Sequence, residues 1–258
     1  MIQGIKRLLA HPATRGLSLD DPLTTEQRRD IIQGNRFLWQ IYDEWYRMIA
    51  RCVPEGPGRV AELGSGAGFL DDYIPDLITS EVFLCSGIQV VFDARQLPFP
   101  PNSLKMIAMV DVLHHVPDVR AFLRQAQSCV RPGGSIAMIE PWVSRWSRLV
   151  YGNLHHEPFE PDAKAWAFPE AGVLSGANGA LPWIVFQRDQ KQFETEFSGF
   201  EIEEVHPFMP LRYLLSGGVS MRQLMPGGAF TFWRAIENGL RKWPDHWSMF
   251  AFIHLRRR

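Results

Sequence analysis

The residues best suited to chemistry lie in a few short stretches. Glu62-Leu63-Gly64-Ser65-Gly66-Ala67-Gly68 sets three glycines at alternate positions. Glycine removes obstructing side chains and frees the backbone, so main-chain groups can approach a ligand closely. A dinucleotide loop of the form Gly-x-Gly-x-x-Gly would need glycine at position 69, which is Phe69. Glu81 stands seventeen residues beyond Gly64, at the expected end of a strand. A carboxylate placed there can accept both hydroxyls of a ribose. Asp93-Ala94 follows, with Leu97, Pro98 and Phe99 close behind to flank a base whose amino group Asp93 would accept. Taken singly, Glu81 has the plainer reading of a solvated strand end, and Asp93 is more often a loop cap.

Groups able to move a proton form a second set. His114-His115 and Glu140 sit where strands should end, and His155-His156-Glu157 lies in an irregular stretch. The candidates for general acid–base work are His115, His155, His156 and Glu157. Their plain alternative is structural, as packed histidines bonding to backbone. No second ligand cluster at a characteristic spacing accompanies them, so no metal site is expected. Trp142 reads as core or as part of the ligand edge.

These residues need elements to position them. A helix is expected from about Thr25 to Arg51, opened by a capping box of Thr24 and Gln27, with Leu38, Ile41, Trp45 and Met48 on one face. Strands are expected at Arg59–Leu63, Leu77–Ser80, Gln89–Phe92, Leu104–Val110, Gly134–Ile139, Phe200–Val205 and Met249–Leu255. Helices are expected at Phe69–Ile74, Pro117–Val130 and Asp189–Phe197. Such alternation gives an α/β fold, a mostly parallel sheet with helices on both faces. The division is an N-terminal helical segment, residues 1–55, and a ligand-binding domain, 56–258. Within the latter, stretches at about 141–187 and 207–245 read as insertions that cap the ligand edge.

Composition bounds the function. The 258 residues are 46% hydrophobic and 21% charged, with a net charge of −1, which describes a globular chain without the basic surface that nucleic acid demands. Three scattered cysteines, Cys52, Cys85 and Cys129, suggest neither a disulfide framework nor an iron–sulfur cluster, and fit a reducing cytoplasm. No apolar run approaches the roughly 18 residues that a membrane span needs. The closing Leu255-Arg256-Arg257-Arg258 reads as a short solvated tail.

Taken in order, Glu62–Gly68, Glu81, Asp93–Phe99, Asp111-Val112-Leu113-His114-His115 and Arg131-Pro132-Gly133-Gly134 resemble the class I methyltransferases, in particular the type 11 methyltransferase-like branch. The resemblance covers about residues 58–140. It implies a Rossmann-like seven-stranded sheet whose last strand is antiparallel, with S-adenosyl-L-methionine as cofactor. Carried over by position, it puts Gly64 and Gly66 beside the methionine part, Glu81 at the ribose and Asp93 at adenine. Glu62, Ser65, Gly68, Ala94 and Asp111 complete the expected cofactor set. One departure is that the interval between the glycine loop and Asp93 is short, so the helix after the second strand should be reduced or absent. An alternative alignment puts Cys85 or Ser86 at the ribose. The expected reaction is methyl transfer to a small-molecule or glycan/lipid-linked acceptor. The alternative is a non-catalytic module that binds the cofactor or a protein.

Overall fold

The structure is a computed structural model that describes residues 10–14, 16–18, 20–154, 157–169, 172 and 176–258. Its centre is a seven-stranded sheet: β1 (Arg59–Leu63), β2 (Ile78–Glu81), β3 (Val90–Val91), β4 (Leu104–Val110), β5 (Val130–Pro141), β6 (Phe200–Phe208) and β7 (Phe250–Arg257). The order across the sheet is β3-β2-β1-β4-β5-β7-β6. β1 to β5 pair in parallel, and β7 runs antiparallel to both β5 and β6. This is the Rossmann-like sheet that the resemblance implies. Strand order reverses between β1 and β4, and ligands of open α/β sheets bind in the crevice beyond the strand ends at such a point.

The chain covers both faces. The helix Val119–Cys129, capped by Asp118, buries Phe122, Leu123 and Ala126 against one face, where Phe193 of the helix Gln190–Glu196 joins it. The helix Arg36–Ala50 buries Phe37, Leu38, Ile41, Trp45 and Ile49 over the other face. Strand β4 is buried on both sides, as its unbroken apolar run requires.

Several expectations need correction. The N-terminal helix is two helices, Pro22–Gly34 and Arg36–Ala50, because Asn35 ends the first and caps the second. The Asn35 side-chain oxygen accepts from the N–H groups of Phe37 and Leu38, both at 3.1 Å. The first helix is capped by Asp21, with Pro22 in its first turn, and not by Thr24 and Gln27. Phe69–Ile74 shrinks to a single 3₁₀ turn, Leu70–Asp72, and no helix separates β2 from β3. Strand β5 begins at Val130; its pairing with β4 jumps from Val130 to Ser135, so the Arg131–Gly134 turn lies inside the strand as an irregularity.

The irregular stretches hold helices of their own, at Arg145–Leu154, Arg212–Ser216, Phe230–Leu240 and Pro244–Trp247. The basic ending is no tail. Arg256 pairs with Glu203 at 2.8 Å, and Arg257 donates to the carbonyls of Gln127 and Gly199 from within β7.

Candidate functional site

The glycine loop leaves β1 at the topological switch. Gly64 has φ of +68°, and a side chain there would run into Val112 on the neighbouring strand end. A Cβ at Gly66 would lie 2.7 Å from Glu81 Oε2 and 2.5 Å from Thr25 Cγ2. The loop is tied to β2 through serines: Ser65 N–H donates to the Ser80 carbonyl at 2.8 Å, and Ser80 Oγ donates to the Glu62 carbonyl at 2.6 Å. Arg29, from the first N-terminal helix, donates to the Gly66 carbonyl at 2.6 Å. The loop is therefore held from both sides before any ligand arrives.

Glu81 ends β2 as a buried carboxylate. Its Oε1 accepts from Val82 N–H at 2.9 Å, yet burial still pushes its pKa up. Glu62, beneath the loop, is more enclosed, and burial raises it to about 8 despite a bond from Ser65. Asp93 has its own counter-ion: Arg95 holds it at 2.6 Å and keeps its pKa below the usual carboxylate value. Asp111 sits at the end of β4 with φ of +57°, and burial raises it to about 7.

A cavity of about 520 Å³ runs from this loop to the histidines. Gly64, Gly68, Glu81, Asp93, Ala94 and Asp111 line it, as does Glu62. Ser65 is buried behind them as a latch. Seven of the nine expected cofactor residues thus line one cavity, with Ser65 behind them and Gly66 set against the lining residues Glu81 and Thr25. Cys85 and Ser86 do not line the cavity, and Ser86 bonds to Glu26 instead.

The other end of the cavity is built on the turn Leu113–His115. Glu140, fully buried at the end of β5, accepts from the N–H groups of Val112 at 2.9 Å and Leu113 at 2.7 Å. Its second oxygen lies 2.8 Å from His114 Nδ1. His114 Nε2 in turn lies 3.5 Å from Glu157 Oε2, and His115 Nε2 lies 3.8 Å from Glu157 Oε1. His115 Nδ1 is 3.2 Å from the Gly176 carbonyl, which can only accept. That contact places the proton on Nδ1 and leaves Nε2 as a lone pair. Burial is the largest influence on both rings and lowers both, but for His114 it is outweighed by bonds to Glu140 and Glu157, which bring it to about 10. His115, next to a charged His114, drops to about 3. His155 and His156 lie outside the described residues.

Several lining residues come from outside the sheet, and Thr25, Arg28 and Tyr213 carry no signal in the sequence. Thr25 and Arg28 come from the first N-terminal helix, Tyr42 and Tyr46 from the second, and Tyr151 and Tyr213 from the two irregular stretches. Tyr42 and Tyr46, as aromatics, suit packing or a pocket wall equally in the sequence, and the fold gives them both roles. Glu140, expected at the ligand edge, stands one step behind it. Trp142 is core, 2% exposed.

Residues 76–138 match a family described as a methyltransferase domain, a match that begins beyond the glycine loop. That matched part, about a quarter of the chain, carries the pattern of a methyltransferase domain. A 53-residue stretch is 42% identical to the 27-O-demethylrifamycin SV methyltransferase of Amycolatopsis mediterranei, covering 19% of this chain and 20% of that protein. The aligned part thus spans about a fifth of that relative. The fold is shared with the geranyl diphosphate C-methyltransferase of Streptomyces coelicolor, with TM-score 0.53, 9% identity, and 97% and 89% of the two chains covered. It is also shared with a putative methyltransferase from Haloferax volcanii solved with its Trm112 activator, with TM-score 0.52, 11% identity, and 93% and 97% covered.

The class I cofactor, S-adenosylmethionine, can be tested against the residues present. The loop offers a side-chain-free approach at Gly64 and Gly66, and Glu81 turns its carboxylate toward the space that a Cβ on Gly66 would fill. The residues fit a ribose-bearing ligand at this position.

Proposed function

We propose that this methyltransferase acts on a hydroxyl of a small, largely apolar acceptor held between its two irregular stretches. The observation that supports this is the single cavity joining the glycine loop and Glu81 to His115 and Glu157. When bound, the cofactor supplies an electrophilic methyl group. Gly64, Gly66 and Gly68 give it backbone, Glu81 takes the ribose hydroxyls, and Asp93 and Ala94 border the base. Glu62, Ser65 and Asp111 shape the wall behind.

The acceptor then occupies the space bounded by Tyr42, Val150, Tyr151, Tyr213, Leu214 and Phe250. Aromatic walls with few polar groups suit an apolar or ring-bearing molecule. The cavity also holds the two reactants in line, which supplies much of the acceleration in such a transfer. A hydroxyl must lose its proton as the methyl arrives, and the polar groups at that end are His114, His115 and Glu157.

Calorimetry with S-adenosylhomocysteine and a labelled-methyl screen of hydroxylated small molecules test this reading. The expected result is micromolar-range cofactor binding and label in an apolar acceptor. Binding without transfer to any acceptor class would favour a non-catalytic module. Label appearing in glycan or lipid-linked acceptors alone would move the substrate to that class. Tight NAD binding with no response to S-adenosylhomocysteine would overturn the assignment.

A further inference from the structure

We propose that His114, His115 and Glu157 bind a divalent transition-metal ion whose open positions face the acceptor chamber. The three side chains present ligand atoms that all lie within 4.8 Å of one another. Around an ion with bonds of about 2.0–2.2 Å, adjacent ligands stand roughly 3–3.6 Å apart. The contacts of 3.5 and 3.8 Å from the two Nε2 atoms to Glu157 therefore need only small shifts to close on an ion.

The orientation of the two rings supports this more strongly than the distances do. Each imidazole has its Nδ1 against an oxygen acceptor, Glu140 for His114 and the Gly176 carbonyl for His115. Outer carboxylates and carbonyls of this kind fix the ring and aim the remaining nitrogen at a metal. With its proton on Nδ1, His115 turns a lone pair toward a Glu157 oxygen, so two acceptors face each other. A dication between the three side chains would take up the lone pairs that converge there.

The ligand set also selects the ion. Two imidazoles and one carboxylate with open positions suit Zn²⁺, Fe²⁺ or Co²⁺, whereas Mg²⁺ and Ca²⁺ prefer oxygen ligands throughout. The sequence hides the site because Glu157 lies more than forty residues from the histidine pair, and only the fold of the first irregular stretch brings it back. Asn178 N–H, bonded at 2.9 Å to the His114 carbonyl, pins that return.

The ion's role rests on the proposed methyl transfer to a hydroxyl. An acceptor hydroxyl bound at an open position would lose its proton to solvent, the O–H electron pair staying on oxygen, where the positive ion stabilises it. A lone buried base is then unnecessary.

Co²⁺ titration of the metal-stripped full chain, followed by its visible absorption and by calorimetry, tests the site. Wild type is expected to take up one equivalent with new visible bands, to bind Zn²⁺ in competition and to ignore Mg²⁺ at the same concentration. Glu157→Gln and His115→Gln, checked for fold by circular dichroism, are expected to weaken Co²⁺ by about tenfold or more while S-adenosylhomocysteine affinity changes little. No saturable Co²⁺ or Zn²⁺ binding, or unchanged binding in both folded variants, overturns the metal site. Methyl transfer at full rate in the stripped enzyme overturns the ion's role but leaves the methyltransferase reading intact. Metal binding without any cofactor binding does the reverse.

Discussion

Glu140 Oε2 lies 2.8 Å from His114 Nδ1 while the other oxygen of the same carboxylate accepts two backbone N–H groups, from Val112 and Leu113. One buried residue on β5 thus fixes both the turn after β4 and the orientation of the histidine ring on it. In Glu140→Gln the amide oxygen can still serve the backbone, but the NH₂ group must face Nδ1. The ring would then carry its proton on Nε2, pointed at Glu157. Methyl-transfer kcat is expected to fall by about tenfold or more, with cofactor Kd within about threefold of wild type. Equal losses in kcat and cofactor binding would show that Glu140 only supports the fold.

Glu81 should behave in the opposite way. Burial raises its pKa, so the carboxylate weakens the empty domain rather than strengthening it. Glu81→Gln is expected to leave Tm unchanged or slightly higher. Its charge-assisted bonds to a ribose are worth about 1.5–3 kcal/mol, so cofactor Kd should rise roughly 10- to 100-fold. Unaltered affinity in the folded variant would remove Glu81 from the ribose position.

Gly66→Ala probes the same contact from the other side. The new Cβ would stand 2.7 Å from Glu81 Oε2 and 2.5 Å from Thr25 Cγ2, so the carboxylate and the first N-terminal helix must both give way. Cofactor affinity is expected to drop by more than it does in Glu81→Gln, because the loop and the first N-terminal helix move together. Retained affinity, measured by calorimetry, would show that the loop is softer than its latches suggest.

How much of this could be read in advance depends on the range of the interaction. β1 and β4 appear at their expected bounds, because strand patterning and the breakers beside them are local. The Asn35 break is hidden because helix-forming residues flank it on both sides and one buried amide alone interrupts them; the periodic Leu38, Ile41 and Trp45 all lie beyond it. The order along the sequence singles out the loop, Glu81 and Asp93, and the fold brings them to one cavity. Glu157 was singled out, but its pairing with His114 and His115 was not, since that depends on the path of an irregular stretch. The counter-ion Arg95, two residues from Asp93, was the one nearby signal overlooked.

Arg212 is a test of how the second irregular stretch is held. Its guanidinium, 4% exposed, reaches Glu44 at 2.7 and 2.9 Å and also bonds Glu237, which caps the N–H groups of Leu211 and Arg212. Removing one partner of such a network leaves buried charge uncompensated, at a cost of about 3–5 kcal/mol. Arg212→Met is therefore expected to lower stability by that order in urea unfolding. Adding Glu237→Gln should recover part of the loss. A fully additive double variant would mean that the pair is not coupled.

Glu62 gives the fold a dependence on pH. Its pKa in the folded chain is about 8, against an ordinary value of 4.5. Below the ordinary value it is protonated folded or unfolded, and it contributes no difference. As pH rises from there to about 8, the unfolded chain gives up the proton while the folded chain retains it, so unfolding becomes steadily easier. Above that range the penalty levels off, at roughly 3–5 kcal/mol for a shift of this size. Glu62→Gln cannot ionise, and Gln can still accept from Ser65. Urea unfolding between pH 5 and 9 should therefore show wild type losing stability relative to Glu62→Gln as pH rises. Parallel pH curves for the two proteins would mean that Glu62 ionises normally in the fold, and that the space beneath the glycine loop is wetter than its burial indicates.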